Sequence, residues 1–346
     1  MEFIKPENEN LLFVLNNFYD CKATTITQIT NGTANILYTV VCSDQKYVLR
    51  KRNERYSEDT WILFEIEYLH RLKDSNLPVP VPIKSRDGQY RVIFESGVYR
   101  LYPYIAGNRY NFDSPKELKE SGSFLAKMHN ALSGFEPKTK KLVPRFDNPE
   151  EMSVILNKYI KNMPVTDQKN KDIITHLAKM IDLISKSFTD KQYNCLPKTV
   201  IHGDYHPANV KYYNEKICGV FDFDWISIQP RLSDVVDGIM YFASYRYETL
   251  KGEDILSLVE GYEFNLERTK LFLDSYMKTI NLPLTKQEIV ELPWFIKARL
   301  INNRVDALRK IPLNKTVEML TVGIIEKLEW VDRNIEEIQI YLEKLI

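Results

Sequence analysis

The sequence lacks the features that mark zinc-binding, secreted and membrane-spanning proteins. It contains 4 cysteines, and none of them stands in a Cys-x-x-Cys pair or a Cys/His zinc-binding pattern. No apolar run approaches the ~18 residues needed to cross a membrane, and the first residues, MEFIKPENEN, have no apolar core of a signal peptide. We therefore expect a cytoplasmic protein without a membrane partner, whose thiols are reduced and structural: Cys21, Cys42, Cys195 and Cys218.

An excess of charge of one sign is also missing. Lys plus Arg and Asp plus Glu both number 47, so the formal net charge is zero. Because nucleic-acid-binding proteins carry basic patches that usually show as an excess of Lys and Arg, we expect no nucleic-acid partner. The chain of 346 residues is 44% apolar, which predicts a globular protein larger than one usual hydrophobic core. Two lobes are expected, and the oligomeric state is left open.

Most of the functional information lies in two neighbouring segments. These are HGDYHPANV, His202 to Val210, and GVFDFDW, Gly219 to Trp225. Asp204 and Asn209 stand five residues apart, and Asp222 ends a short apolar run. This is the spacing of a kinase catalytic loop, H-x-D-x-x-x-x-N, followed by a metal-binding Asp. The pattern predicts phosphoryl transfer.

The residue types suit that chemistry. A carboxylate beside an acceptor hydroxyl accepts its proton during transfer, which makes Asp204 the candidate catalytic base. Mg²⁺ prefers oxygen ligands and shares its coordination with the phosphates of ATP, so one or two carboxylates and an amide suffice. Asn209 and Asp222 are the candidate metal ligands.

Four further residues of this region have assignments of their own. His206 is either a substrate contact or a cap of the turn, and Asp224 either reaches the substrate or a second metal or fixes the loop. We expect His202 to hydrogen-bond the loop backbone. Asp234, near a helix start, is expected to be a structural cap.

The pattern of apolar residues predicts an α+β fold. Residues 24–50 form three strands of an antiparallel meander, residues 57–72 a helix, and residues 91–94 and 99–104 two more strands. Helical patterns follow at 115–132, 148–161, 167–188 and 230–250. This order predicts a nucleotide-binding N-lobe over residues 1–104 and a C-lobe with the catalytic loop and acceptor pocket over residues 105–346.

A nucleotide site is less clearly marked. The turn between the first two strands contains the residues whose backbone amides are placed to cover phosphates: Gly32, Thr33, Ala34 and Asn35. It lacks the G-x-G-x-x-G pattern, so a plain hairpin turn is the alternative. Arg50 is the candidate cation for the phosphates, with Glu65 as its partner on the next helix. A solvated basic cluster at the strand edge is the alternative for Arg50.

Together these motifs resemble the aminoglycoside phosphotransferase and choline kinase superfamily, and within it the type II homoserine kinases. The similar segments span nearly the whole chain: GTANILYTV, KYVLRK, FEIEYLHRL with LPVPVP, LYPYIAG, GSFLAKMHNAL, HGDYHPANV and GVFDFDWISIQPRLSDV. The resemblance implies a two-lobed protein-kinase-like fold that has an antiparallel N-lobe sheet with one helix and a mostly helical C-lobe. It also implies that Mg²⁺ and ATP bind in the cleft and that a small-molecule hydroxyl is phosphorylated.

The resemblance assigns the same residues. It places the base at Asp204, metal ligands at Asn209 and Asp222, and the phosphate-pairing cation with its partner at Arg50 and Glu65. The backbone expected to meet adenine belongs to Tyr102, Pro103 and Tyr104.

The acceptor is the open question. An amino alcohol such as homoserine is the first candidate, and an aminoglycoside, which would need an acidic pocket, is the second. The motifs are also compatible with a protein Ser/Thr kinase of this fold and with a nucleotide-binding pseudokinase. The basic and aromatic segment from Pro293 to Arg304 either lines a pocket for a carboxylate-bearing acceptor or forms an amphipathic helix with its basic face in water.

Overall fold

The computed structural model describes residues 6–31, 35–53, 59–95, 97–246 and 255–346. The chain divides into two compact units. The first consists of Met1–Asn108, Glu136–Lys141 and Cys218–Asp224, and the second of Arg109–Phe135, Leu142–Ile217 and Trp225–Ile346. The predicted lobe boundary lies at residue 104, near the end of the first segment, and two later segments also belong to the first unit.

The first unit is built on an antiparallel sheet in the order β1-β2-β3-β5-β4. Its elements are α1 (Pro6–Phe18), β1 (Ala23–Asn31), β2 (Asn35–Cys42), β3 (Gln45–Asn53), α2 (Asp59–Asp74), β4 (Val92–Phe94) and β5 (Gly97–Pro103). The predicted order of strands and helix is confirmed. Helix α1 was not predicted, although Leu11, Val14 and Leu15 have helical spacing and pack into the core of this unit.

Two of the four cysteines are paired in this unit. Cys21, just before β1, and Cys42, at the end of β2, form a disulfide with a Cα–Cα distance of 5.6 Å, within the usual range for such bonds. The expectation that all four thiols are reduced is therefore wrong for this pair. The antiparallel pairing of β1 with β2 brings together residues 21 positions apart in the chain, which the cysteine spacing alone does not reveal.

The second unit is mostly helical. Its helices are α3 (Pro115–Leu132), α4 (Pro149–Ile160), α5 (Gln168–Ser187), α6 (Asp190–Cys195), α7 (Leu232–Asp237), α8 (Leu266–Thr279), α9 (Lys286–Ala307), α10 (Thr316–Thr321) and α11 (Ile324–Glu343). Short strands interrupt them: β6 (Lys198–Ile201), β7 (Val210–Tyr213), β8 (Lys216–Val220, which continues into the first unit), β9 (Ser227–Pro230), β10 (Tyr245–Arg246) and β11 (Tyr262–Glu263). A π-helical turn, Gly238–Phe242, continues α7. The helix predicted over 230–250 thus ends at Phe242, and residues 247–250 lie outside the described residues.

Helices α3 and α8 pack closely because of one glycine. A Cβ atom on Gly122 would lie 2.4 Å from the carbonyl oxygen of Phe272, so a larger residue at this position would push the helices apart. None of the helices that the structure describes is long and apolar enough to cross a membrane.

Helix α9 does not turn a basic face to water. Its basic residues Lys297, Arg299 and Arg304 are all buried, and Lys297 forms a salt bridge with Asp332 of α11. The alternative of a solvated amphipathic helix is therefore wrong. Buried cations require compensating groups. Arg299 forms a salt bridge with Asp237, whereas Arg304 donates to backbone carbonyl groups.

Candidate active site

The HGDYHPANV segment forms a tight loop in the second unit. Strand β6 leads into it, a 3₁₀ turn over Pro207–Asn209 closes it, and β7 leaves it. Gly203 has a φ of +79°, and a Cβ atom there would lie 2.6 Å from the carbonyl oxygen of Trp225. Only glycine fits this position without strain, which explains the second letter of the motif.

The carboxylate of Asp204 is partly open to solvent. Its side chain is 34% exposed, and its Oδ2 lies 3.4 Å from Nε2 of His206. Burial would raise the pKa of Asp204, but His206, His202 and Arg299 outweigh it and lower the pKa to about 2. The group is therefore an ionised acceptor at neutral pH.

Asn209 is oriented by the same carboxylate. Its Nδ2 donates to the backbone oxygen of Asp204 at 3.0 Å and to the Oδ2 of Asp204 at 3.3 Å. The amide nitrogen therefore faces Asp204, and the Oδ1 oxygen takes no part in these bonds. That oxygen is the atom type that Mg²⁺ binds.

The two loop histidines have structural contacts. The Nδ1 atom of His202 accepts the backbone N–H of Asp204 at 3.3 Å, which confirms the expected role. The Nδ1 atom of His206 accepts the backbone N–H of Ala208 at 3.2 Å and so caps the turn. Of the two roles expected for His206, the structure therefore contains the cap of the turn. Its Nε2 faces Asp204, and a contact with the substrate stays a prediction.

Asp234 holds the backbone of the catalytic loop. Its carboxylate accepts the N–H groups of His202 and Gly203, both at 2.8 Å, and lies 3.2 Å from Nε2 of His129. Burial would raise the pKa of Asp234, but His129 lowers it below its usual range. No side chain caps α7, so the expected helix-cap role is wrong. Asp234 supports the loop instead.

Arg299 supports the loop from the other direction. Its guanidinium binds both oxygens of Asp237 at 2.7 Å, lies 3.3 Å from Asp147, and donates to the carbonyl of Gly203 at 3.3 Å. Asp234 thus binds the N–H groups of the loop and Arg299 binds a carbonyl. Sequence reasoning missed both contacts, because the partners are more than thirty residues away from the loop residues that they bind.

A second group of predicted site residues lies in the first unit. Arg50 of β3 forms a salt bridge with Asp224, and its Nε donates to Oδ1 of Asn35 at 2.9 Å. Asn35 in turn donates to Asp224 at 3.0 Å, and Arg52 lies 3.3 Å from the same carboxylate. Burial would lower the pKa of Arg50, but Asp224 raises it. Asp224 therefore fixes its own loop to β3.

The predicted pairing of Arg50 with Glu65 is wrong, because each residue forms its salt bridge with another partner. The salt bridge of Glu65 is with Arg100 of β5, at 2.8 Å. Arg50 and Arg100 are directly opposite each other in the antiparallel pair β3–β5, so both side chains are on one face of the sheet. Two adjacent buried cations need two carboxylates. Glu65 compensates Arg100, and Asp224 compensates Arg50.

Lys141 adds a cation that the sequence analysis did not consider. Its Nζ donates to the backbone oxygen of Asp224 at 2.5 Å and lies 4.8 Å from the ring centre of Trp61. Burial lowers the pKa of Lys141 to about 8, with Asp224 opposing the shift. It lies on the segment 136–141 that returns to the first unit.

Asp222 has an unusual backbone conformation. Its φ is +61°, in the left-handed region that non-glycine residues seldom occupy. The next residue, Phe223, is buried against Tyr68, whereas Asp222 is exposed. Strained residues of this kind concentrate at functional sites, which suits the predicted role of Asp222 as a metal ligand.

The predicted nucleotide turn and hinge are only partly described. Gly32, Thr33 and Ala34 lie outside the described residues. At the hinge, the N–H of Tyr104 donates to the carbonyl of Lys46 at 3.2 Å, and Pro103 has no N–H. A contact between adenine and the hinge would therefore use backbone carbonyls more readily than the amide of Tyr104.

The comparison with known families decides the class of the protein. The model of the phosphotransferase enzyme family (APH) matches residues 25–272. The chain belongs to this family. It is a phosphotransferase that acts on a hydroxyl group, and the two segments HGDYHPANV and GVFDFDW lie within the matched region.

Relatives and solved structures agree with this assignment. The homoserine kinase of Zymomonas mobilis is 24% identical over 242 residues, which cover 70% of this chain and 72% of that protein. A microcompartment-associated aminopropanol kinase superposes with a TM-score of 0.70 at 16% identity, over 94% of this chain and 97% of the other. An amicoumacin kinase solved with AMP-PNP and Ca²⁺ superposes with a TM-score of 0.65 at 16% identity, over 96% and 94%. This phosphotransferase thus has the kinase-like α+β fold that the sequence predicts.

Proposed function

We propose that this phosphotransferase transfers the γ-phosphoryl group of ATP to the hydroxyl of a small metabolite, with an amino alcohol such as homoserine as the first acceptor. The observation that carries the proposal is the catalytic loop, whose ionised, partly exposed Asp204 is held by Asp234 and Arg299. Similarity to a curated homoserine kinase supports the choice of acceptor.

Asp204 would orient the hydroxyl and accept its proton. A carboxylate with a pKa of about 2 is a weak base, so it takes the proton only once the hydroxyl oxygen has begun to bond to phosphorus. Its main contribution before that point is positioning, because it accepts a hydrogen bond from the hydroxyl.

The described residues fit a bound nucleotide and Mg²⁺. Three buried polar atoms on the face of the sheet that carries Arg50 have no hydrogen-bond partner: Nε of Arg52, Nη1 of Arg100 and the hydroxyl of Tyr102. Such atoms suit a phosphate-rich ligand. Asn209 and Asp222 would hold Mg²⁺, which would neutralise phosphate charge when bound.

A coupled ADP-release assay tests the proposal. The panel contains homoserine, ethanolamine, choline, 1-amino-2-propanol, sugars, aminoglycosides and a generic protein acceptor, each with Mg-ATP. Turnover with an amino alcohol supports the proposal, whereas turnover only with aminoglycosides or protein would replace its acceptor. Nucleotide binding without turnover of any acceptor would favour a pseudokinase.

A further inference from the structure

The candidate metal ligand Asp222 lies in the segment Cys218–Asp224, which belongs to the first unit. Its backbone has a φ of +61°. A non-glycine residue keeps such a conformation only where the surrounding structure holds it in place. The contacts made by its neighbours in the chain therefore determine where the Asp222 carboxylate stands.

The backbone is held on both sides of Asp222. Two residues before it, the N–H of Val220 donates to the carbonyl of Pro78 at 3.1 Å. Directly after it, Phe223 is buried, and its ring centre lies 5.5 Å from that of Tyr68 on α2. Both contacts join Asp222 to parts of the first unit that are distant in the chain.

A third contact is made by Lys141 at the end of the segment. Its Nζ donates to the backbone oxygen of Asp224 at 2.5 Å and lies 4.8 Å from the ring centre of Trp61 on α2. The carboxylate of Asp224 is already bound by Arg50, so Lys141 acts on the main chain and not on the side chain. Lys141 is only 8% exposed, and a charge-assisted hydrogen bond in buried surroundings is strong.

The position of Lys141 depends on how its own segment is held. Lys141 ends the return segment, residues 136–141, which belongs to the first unit although the chain before and after it belongs to the second. The return segment contains no helix or strand. Its anchor is Glu67 of α2, which accepts the N–H of Lys138 at 2.6 Å, the N–H of Thr139 at 3.2 Å and the hydroxyl of Thr139 at 2.8 Å. One carboxylate thus receives three hydrogen bonds from two consecutive residues.

Helix α2 is the common support of these contacts. Trp61 contacts Lys141, Glu67 binds the return segment, and Tyr68 packs against Phe223. The return segment and the residues around Asp222 are therefore held by one helix, and Lys141 joins the two directly.

We propose that Glu67 and Lys141 are positioning residues for phosphoryl transfer. Glu67 fixes the return segment on α2, and Lys141 of that segment fixes the carbonyl of Asp224, so that Asp222 keeps its place as a metal ligand. The inference rests on the proposed function, in which Asp222 binds Mg²⁺. Partners of this kind, one step removed from a ligand, typically change metal affinity by about tenfold to a hundredfold when they are removed.

Hydrogen exchange in the nucleotide-free protein tests the structural part. Lys141→Met keeps an unbranched side chain of similar length and removes the ammonium group. We expect the amides of residues 219–225 to exchange roughly tenfold faster or more, since a hydrogen bond to a charged group has been lost. Lys141→Arg keeps a donor and should restore slow exchange. Lys140→Met, at the exposed neighbouring lysine, is the matched control. Unchanged exchange in Lys141→Met would overturn the proposal.

Calorimetric titration with ATP tests the functional part. Lys141→Met should weaken binding in the presence of Mg²⁺ by roughly tenfold and leave binding in EDTA unchanged, because only the metal ligand is displaced. A general loss of folded protein would not change the ratio of these two affinities.

Glu67→Gln tests whether the two residues act together. It should weaken Mg-ATP binding less than Lys141→Met does, because the ammonium group is still present. If Glu67 acts through Lys141, the double variant should bind Mg-ATP as weakly as Lys141→Met alone. Additive losses would show that Glu67 acts independently and would overturn the joint role.

The two experiments separate this inference from the proposed function. Faster exchange in Lys141→Met with an unchanged affinity for Mg-ATP would overturn the positioning role and leave the function intact. A wild-type affinity for ATP that does not depend on Mg²⁺ would contradict the proposed metal site of Asp222. In that case the exchange rates still decide whether Lys141 and Glu67 fix this part of the chain.

Discussion

The carboxylate of Asp234 accepts the backbone N–H of Gly203 at 2.8 Å, one residue before the candidate base. The adjacent N–H of His202 is bound by the same group at the same distance. A side chain outside the loop thus determines where Asp204 stands. Asp234 is a positioning residue, and its removal should affect geometry more than charge at the reacting atoms.

Asp234→Asn should therefore slow the enzyme without preventing ATP binding. An amide has one acceptor oxygen in place of two, so one loop N–H loses its partner in a buried position. We expect a decrease of about 2 kcal/mol in the free energy of unfolding and a decrease in kcat of roughly tenfold to a hundredfold. Denaturant titration and ADP release measure the two effects. Asp190→Asn, at an exposed carboxylate paired with Arg145, is the control; equal behaviour of the two variants would contradict the positioning role.

Asp204→Asn tests the base itself. It keeps the size of the side chain and removes both the negative charge and the proton acceptor, so turnover should fall by roughly a hundredfold to ten-thousandfold. The affinity for ATP should be largely preserved, as measured by calorimetry in the absence of acceptor. Turnover within a few-fold of the wild type would remove Asp204 from the mechanism.

Asp222→Asn separates metal binding from backbone strain. Asparagine tolerates the left-handed conformation of this position at least as well as aspartate, so the loop at φ +61° should be preserved. The loss of a charged oxygen ligand should weaken nucleotide binding in the presence of Mg²⁺ by at least roughly tenfold. Binding measured with EDTA should be unaffected. An unchanged affinity for Mg-ATP would exclude Asp222 as a ligand.

The catalytic loop could be predicted from the sequence because its residues are close together in the chain. Asp204 and Asn209 contact each other across five positions, and Gly203 stands next to Asp204 in the same short motif. The strand meander could be predicted because its segments are rich in β-branched and aromatic residues and are bounded by turn residues. The information in both cases is local.

The contacts that support the site could not be predicted from the sequence, because they depend on strand register and helix packing. Glu65 compensates Arg100 rather than Arg50 because β5 aligns Arg100 opposite Arg50, and no local pattern gives that alignment. Arg299 was a basic residue in a helical pattern, and its burial becomes evident only once α9 is packed against its neighbours. The available signal was that polar and apolar residues are mixed around α9, which therefore has no continuous polar face to turn to water.

The pH dependence of stability gives a test of the burial of Lys327 that needs no substrate. The folded protein has a pKa of about 8 for Lys327, whereas an unfolded lysine titrates at about 10.4. Between these values the unfolded chain binds more protons, so the free energy of unfolding should rise with pH, by up to about 3 kcal/mol for this residue. Lys141, whose pKa is also lowered to about 8, adds a rise over the same range.

The rise in the free energy of unfolding ends near pH 10. Above this pH the unfolded chain loses its tyrosine protons, whereas buried tyrosines such as Tyr276 have raised pKa values and keep theirs. Denaturant titrations at intervals from pH 7 to pH 10 measure the slope. Lys327→Gln should lose part of the rise and be more stable than the wild type at pH 7, because a buried charge has been removed. Lys270→Gln should keep the full rise, since Glu337 raises the pKa of Lys270 and this lysine therefore does not titrate between pH 7 and pH 10. A wild-type slope that Lys327→Gln leaves unchanged would mean that burial does not lower the pKa of Lys327 in the folded protein.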